Sequence, residues 1–430
     1  VGDPCASVSR CQAGLVCFEG LCATEAPPSP SCAPAGHLPD LVDGGVLAIP
    51  QADYDEPGVD CVDAIRGASP DLDAVALDIH PVGTDLPFDI PAVTASFSIV
   101  SQESPGTANE TVTLQGAEFP NAPVPTDVLF PDGGLFYDDM DSWFSDPSRY
   151  HALNAYAFGV APQAGTFVHP STSAGIDRLY TAGGVEAGTW RLTVNDYAYE
   201  CLVSPLAPYC DAGESAAGRY DVTVLRKAGP IASTGTLDLS VILVSSSLTA
   251  ADALASAAFQ RYVGSLQALF GQAGICLGTV TVHDLPAWAV DRWGRIDADD
   301  GTPCGDLSQL FTTSPVANAV HVFLVDDLYS ETAPPDSTVV GIDGSIPGPS
   351  GVSGTILSGA AVELGSNLET IDGCLAAFDP ESCAPDFVAY VTAHEAGHWL
   401  GLWHVTEAYA TLWDPLDDTP TCDCPCLPAA

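Results

Sequence analysis

Near residue 236 the hydrophobic rhythm of the chain changes, and no single layer architecture accommodates both rhythms. From about 81 to 235 apolar residues recur at every second position: Ala95, Phe97 and Ile99; Val112 and Leu114; Trp190, Leu192 and Val194; Tyr220, Val222 and Val224. Such alternation buries one face of a strand and wets the other. Turn-rich spacers at 131–134 and 182–184 separate these runs, which predicts an antiparallel β-sandwich over 81–235. Beyond 236 the periods mix. Leu237, Leu239, Val241 and Leu243 alternate as a strand, Thr249 and Asp252 have the spacing of a helix cap, and Leu254, Ala258, Tyr262, Leu266 and Leu269 follow at helical intervals. Strands at 280–283 and 320–325 continue the alternation, so an α/β (α+β) domain is expected over 236–430.

Residues 1–35 follow neither rhythm. Cys5, Cys11, Cys17, Cys22 and Cys32 in so short a segment imply a disulfide-stapled unit, and with no nearby histidine their spacing does not suit zinc. A Pro-rich stretch at 26–30 and an extended linker region over 36–80 lead into the sandwich. Fifteen cysteines in all fit an oxidising compartment, so an extracellular protein, secreted or at the cell surface, is expected. By proximity the expected pairs are Cys276 with Cys304, Cys374 with Cys383, and Cys201 with Cys210, the last closing a loop between strands ending near Asn195 and beginning near Arg219.

Acidic residues outnumber basic ones by 56 to 11, for a formal net charge of -45. So negative a surface repels phosphate backbones and anionic lipid heads, which excludes nucleic acid as a partner. A mean hydropathy of +0.20 nonetheless sets the chain apart from charged disordered sequences. No transmembrane segment is expected, because no uninterrupted apolar run reaches the roughly 18 residues needed to cross a bilayer.

The residues that carry chemistry lie near the end of the sequence. His394 and His398 are four apart, so on a helix their imidazoles share a face and can bind one metal ion. Gly401 can adopt a left-handed conformation, end the helix and bring His404 round as a third nitrogen ligand. Three protein ligands with one open position are the arrangement of a catalytic zinc site, not a structural one. Glu395 points away from the ligands, where its carboxylate can take a proton from an attacking water and pass it to a departing amine. The five fixed residues of this pattern would recur by chance in a chain of this composition with a probability on the order of 10⁻⁵. Trp399, Leu400, Leu402 and Trp403 are read as apolar backing for the ligands. The other histidines, His37, His80, His151, His169, His283 and His321, have no ligand spacing and are expected to be structural or solvated.

His394-Glu395-x-x-His398-x-x-Gly401-x-x-His404 resembles the zinc signature of the metzincin peptidases. The following Asp414-Pro-Leu-Asp417-Asp418-Thr419-Pro420 looks like the pappalysin branch of that clan. The close match covers about 30 residues from Val391 to Cys422, and the order of strand, helix, strand, edge strand and active helix extends it more loosely. The resemblance implies a secreted zinc metalloendopeptidase with a protein or peptide substrate pairing along an upper edge strand, which is expected within 353–364. It further implies calcium near Asp414, Asp417 and Asp418, whose alternative is a solvated acidic loop. Cys61 is a candidate for capping the zinc in a latent precursor.

One departure from the family stands out. Metzincins carry a methionine turn downstream of the third ligand, yet only 26 residues follow His404 and none is Met. A chain cut short before the lower subdomain is the expectation. Two competing functions remain at this level: a surface binding or adhesion protein with a vestigial or structural metal site, and a hydrolase of non-peptide amides.

Overall fold

The computed structural model describes residues 16–18, 21–23, 41–47, 72–81, 85–103, 112–114, 117–119, 122–129, 164–169, 183–204, 207–215, 219–229, 235–299, 305–315, 318–330, 339–351, 353–355, 357–364, 378–379, 381–402, 404, 406–407 and 412–413. Within them the architecture is α+β, with antiparallel sheets in one part and a mixed sheet flanked by helices in the other.

Two antiparallel sheets account for most of the period-two region. One has the order Ala164–His169, Thr94–Glu103, Arg219–Ala228, Leu72–Pro81. The other places Gly188–Ser204 between Ala207–Ser215 and Asp85–Ile90, with Ala122–Leu129 also paired to it. Leu86, Phe88, Trp190 and Leu192 of the second sheet share a core with Phe97, Ile99, Val222 and Val224 of the first. The Phe97 ring meets Trp190 edge-on at 5.0 Å, the offset geometry that aromatic quadrupoles favour. Cys201 and Cys210 are opposed register partners in an antiparallel strand pair, not the ends of a loop as expected. That pair extends strand structure over 196–204 and 207–215, where the sequence lacks a two-residue alternation.

The mixed sheet has six strands in the order Gly341–Asp343, Ala360–Glu363, Val320–Val325, Gly235–Val244, Ile275–Asp284, Val42–Leu47. Its four inner strands are parallel and its two outer ones antiparallel. Inner parallel strands are covered on both faces, which is why Val320–Val325 is buried at every position, His321 included, and is otherwise apolar throughout. One face of the sheet, including Leu239, Val241 and Val322, packs on helices that carry Phe259, Tyr262, Val388 and Trp399. Ile242, Val244 and Phe323 on the other face meet Trp293, Leu310 and Phe311.

Three expectations change here. The stretch 36–80, read as a linker, supplies the strand Val42–Leu47 at one edge of the mixed sheet and the strand Leu72–Pro81 to an antiparallel one. The edge near the active helix is Gly341–Asp343, because Ala360–Glu363 within 353–364 is an inner strand paired on both sides. The single helix expected after Thr249 is two, Ala250–Ala255 and Ala257–Gln272. Thr249 caps the first and Ser256, extended at φ −83 and ψ 129, caps the second by accepting from the Ala258 and Phe259 amides.

Cys276 and Cys383 are each disulfide-bonded, whereas Cys304 and Cys374, their expected partners, lie outside the described residues. No helix among the described residues is long and apolar enough to cross a membrane.

Candidate metal centre

The helix Ala384–Trp399 begins with Pro385 in its first turn, where a missing N–H costs nothing, and carries Asp386 at its positive end. Val388, Val391, Thr392, Glu395 and Trp399 recur on its buried stripe. Against the neighbouring helix that stripe places the Tyr262 hydroxyl 3.2 Å from Thr392 Oγ1. At the surface Arg261 forks onto both carboxylate oxygens of Asp386, and Ser265 donates to the same group. These contacts fix the helix whose last turns hold His394, Glu395 and His398.

Past Trp399 the chain turns as the sequence predicts. Gly401 has φ +103, its amide donates to the His398 carbonyl at 2.8 Å, and the Leu402 amide donates to the Gly397 carbonyl at 2.9 Å. This pair of bonds is the Schellman motif. It reverses the chain and carries His404 back towards the helix.

The three imidazoles converge. His394 Nε2 lies 3.2 Å from His398 Nε2, and His404 Nε2 lies 3.1 Å from each of them. Nitrogens held at about 2.0–2.1 Å by one tetrahedral zinc ion stand about 3.3–3.4 Å apart, so the observed triangle matches one coordination sphere to about 0.2 Å. Hydrogen bonding alone does not account for it. His398 Nδ1 faces the Leu402 carbonyl at 2.6 Å and must donate there, which in the neutral ring leaves the Nε2 lone pair facing the other two nitrogens. Burial, with the nearness of His398 and His404, lowers the His394 pKa and so favours the neutral, ligating form. His394, His398 and His404 together can hold a metal ion, with His398 buried and the other two exposed.

Glu395 is 7% exposed and not part of this triangle. Burial pushes its carboxyl up to about 8, the neighbouring Asp343 carboxylate adds to the rise, and a main-chain N–H of Asp343 opposes it. Asp343 itself is raised, mainly by burial, against the opposing pull of His398 and His404. Its Oδ2 finds no partner among the described residues.

The edge strand makes room for this arrangement with glycine. A Cβ on Gly341 would stand 2.6 Å from both Glu395 Oε1 and Val391 Cγ1. The loop beyond does the same at Gly348, where a Cβ would overlap the Trp399 indole at 1.9 Å. Asp343, Gly341 and Gly348 have no ligand spacing or periodicity, so nothing local in the sequence marks them. The apolar backing also differs from expectation: Trp399 is buried, but Leu400 and Leu402 are 37% and 49% exposed, because the Schellman turn carries them away from the core. Trp403, the acidic run Asp414, Asp417 and Asp418, and Cys61 lie outside the described residues.

Compared with family models, curated proteins and solved structures, the chain matches none.

Proposed function

We propose that this chain is a secreted zinc metalloendopeptidase in which His394, His398 and His404 hold the metal and Glu395 acts as general base and then general acid. The observation that carries the reading is the triangle of Nε2 atoms at 3.1–3.2 Å beside a buried glutamate that does not belong to it. The α+β architecture, with an active helix packed under a mixed sheet and an antiparallel edge strand alongside, supports a metzincin-like catalytic unit. The two facing antiparallel sheets support a β-sandwich beside it.

Zinc would supply Lewis acidity at this site, acidifying water and polarising a carbonyl. The protein's own part begins with position: Glu395 is buried against Gly341 and lies outside the nitrogen triangle. Glu395 takes the proton of the attacking water and delivers it to the amine nitrogen as the peptide C–N bond breaks. His398, held by Leu402, keeps its Nε2 available as a ligand throughout. The strand Gly341–Asp343 pairs on one side only among the described residues, which leaves main-chain groups to align an extended peptide.

A quenched-peptide library incubated with the zinc-loaded protein and with Glu395→Ala tests this. Cleavage by the parent and its loss in Glu395→Ala, with the metal retained, is the expected result. Equal signal from both versions would favour the binding-protein reading, and turnover confined to small amides would redirect the hydrolysis to another substrate class.

A further inference from the structure

The strand Ala164–His169 belongs to the antiparallel region, far in sequence from the histidines, yet it touches the segment that supports them. Thr166 is 2% exposed, and its hydroxyl donates to the Pro347 carbonyl at 2.6 Å. The Ser345 hydroxyl donates to the same carbonyl at 2.7 Å, so both lone pairs of that oxygen are used. One residue on, the Gly348 amide donates to the Trp399 carbonyl at 2.7 Å, and the Trp399 indole fills the space that a Cβ on Gly348 would take. Trp399 is the residue after His398. On the other side of the same turn, Val168 Cγ1 and Pro347 Cβ lie 3.8 and 3.7 Å from where a Cβ on Gly401 would stand.

The segment 345–348 is therefore held from two directions. Its own chain anchors it to the edge strand that carries Asp343, and the antiparallel region anchors it through Thr166. A buried hydroxyl committed to one carbonyl across 181 residues of sequence fixes a position; it does not merely fill space. If the carbonyl of Pro347 lost that anchor, the peptide that begins at Gly348 would be free to shift, and with it the last turn of the helix and the Gly401 reversal.

We propose that the antiparallel region is a built-in buttress of the metal centre and that Thr166 is its positioning residue, acting through Pro347 and Gly348 on the His398–Gly401 turn. This rests on the metal reading above and deepens it: the N-terminal half serves the geometry of the histidines and is not an independent appendage. The hydrogen bonds of the Thr166 hydroxyl go to Pro347 and Ser345 and not to the histidines, so its effect belongs to the site's shape.

Cobalt(II) titration of the full chain, read by visible absorption and by competition with a chelator, tests the proposal. Thr166→Val is close in shape but cannot donate. It is expected to weaken cobalt binding roughly three- to tenfold, less than the 10- to 100-fold typical of residues bonded directly to a ligand, and to shift the ligand-field band. Thr166→Ser keeps the donor and is expected to restore both. Hydrogen exchange at the Gly348 and Leu402 amides should quicken in Thr166→Val and not in Thr166→Ser. A folded Thr166→Val protein with unchanged affinity, spectrum and exchange overturns the proposal. Should that variant fail to fold, Val168→Ala decides, weaker cobalt binding supporting the buttress and unchanged binding overturning it. Cobalt bound by no version, the parent included, overturns the metal centre itself and is thereby distinct from a failure of Thr166 alone.

Discussion

The Nδ1–H of His398 donates to the main-chain oxygen of Leu402 at 2.6 Å, so the turn that ends the active helix also sets the tautomer of the central ligand. Helix termination and the placing of the candidate ligands are thus one local event, and substitutions in the turn should register in both stability and any metal affinity.

Gly401→Ala separates these effects. At φ +103 a side chain is strained, while the nearest atoms, at 3.7 and 3.8 Å, leave ordinary room for it. The cost is therefore in the backbone, about 1–2 kcal/mol of stability. Denaturant unfolding should show that loss. Zinc competition should show weaker binding as well, since a relaxed turn moves both the Leu402 carbonyl and His404.

On the proposed reading, each of the three histidines is required. His398→Ala and His404→Ala are expected to lower zinc affinity by at least about 100-fold, beyond the range seen for outer partners of a metal ligand. Glu395→Gln should leave affinity within a few-fold of the parent because its carboxyl lies outside the nitrogen triangle. Isothermal titration on the three variants checks the ordering, and comparable losses from all three would contradict it.

Gly341→Ala addresses the proposed base without replacing it. The new methyl would stand 2.6 Å from Glu395 Oε1 and from Val391 Cγ1, so either the carboxylate or the helix must move. Overpacking of this kind costs about 1–3 kcal/mol. In peptide-cleavage kinetics the expected outcome is a fall in kcat larger than any rise in KM, with zinc still bound.

Acid should loosen the packing of the active helix on its neighbour. The Arg261 hydrogen bond holds the Asp386 carboxyl below its ordinary value of 3.8, with Ser265 contributing in the same sense. A folded-state value below the unfolded one gives stability that is fully present above about pH 4 and lost as pH falls through the folded value. The pair is about two-fifths exposed on each side, so the contribution is small. Thermal unfolding of the parent and of Asp386→Asn across the acid range should show a gap at neutral pH that closes below pH 4.

The convergence of the three histidines was legible in the sequence because they are local. Two histidines four apart, a glutamate between them and a glycine at the helix stop are all fixed by helix geometry and a Schellman turn, and both depend on neighbouring residues only. The inner strands Gly235–Val244 and Val320–Val325 were legible, the first from the alternation of Leu237, Leu239, Val241 and Leu243 and the second from its mostly apolar residues. Asp343 was not, since it reaches Glu395 only through antiparallel pairing of a three-residue strand with Ala360–Glu363. The same blindness to distant pairing hid Val42–Leu47, whose Asp-Gly-Gly centre reads as a turn until Ile275–Asp284 supplies a partner. Ser256 was missed for a different reason: Leu254 and Ala258 keep the helical interval across it, so the pattern hides the break that its cap creates.

The strand Val42–Leu47 lies before the antiparallel sheets in the chain, and the rest of its sheet, from Gly235 onwards, comes after them. The polypeptide begins one unit, completes another inside it, then returns to finish the first. No single cut frees the histidine-bearing half intact: a fragment starting at 235 would leave Ile275–Asp284 as a raw parallel rim, inviting fibre-like stacking where the strand Val42–Leu47 otherwise provides cover.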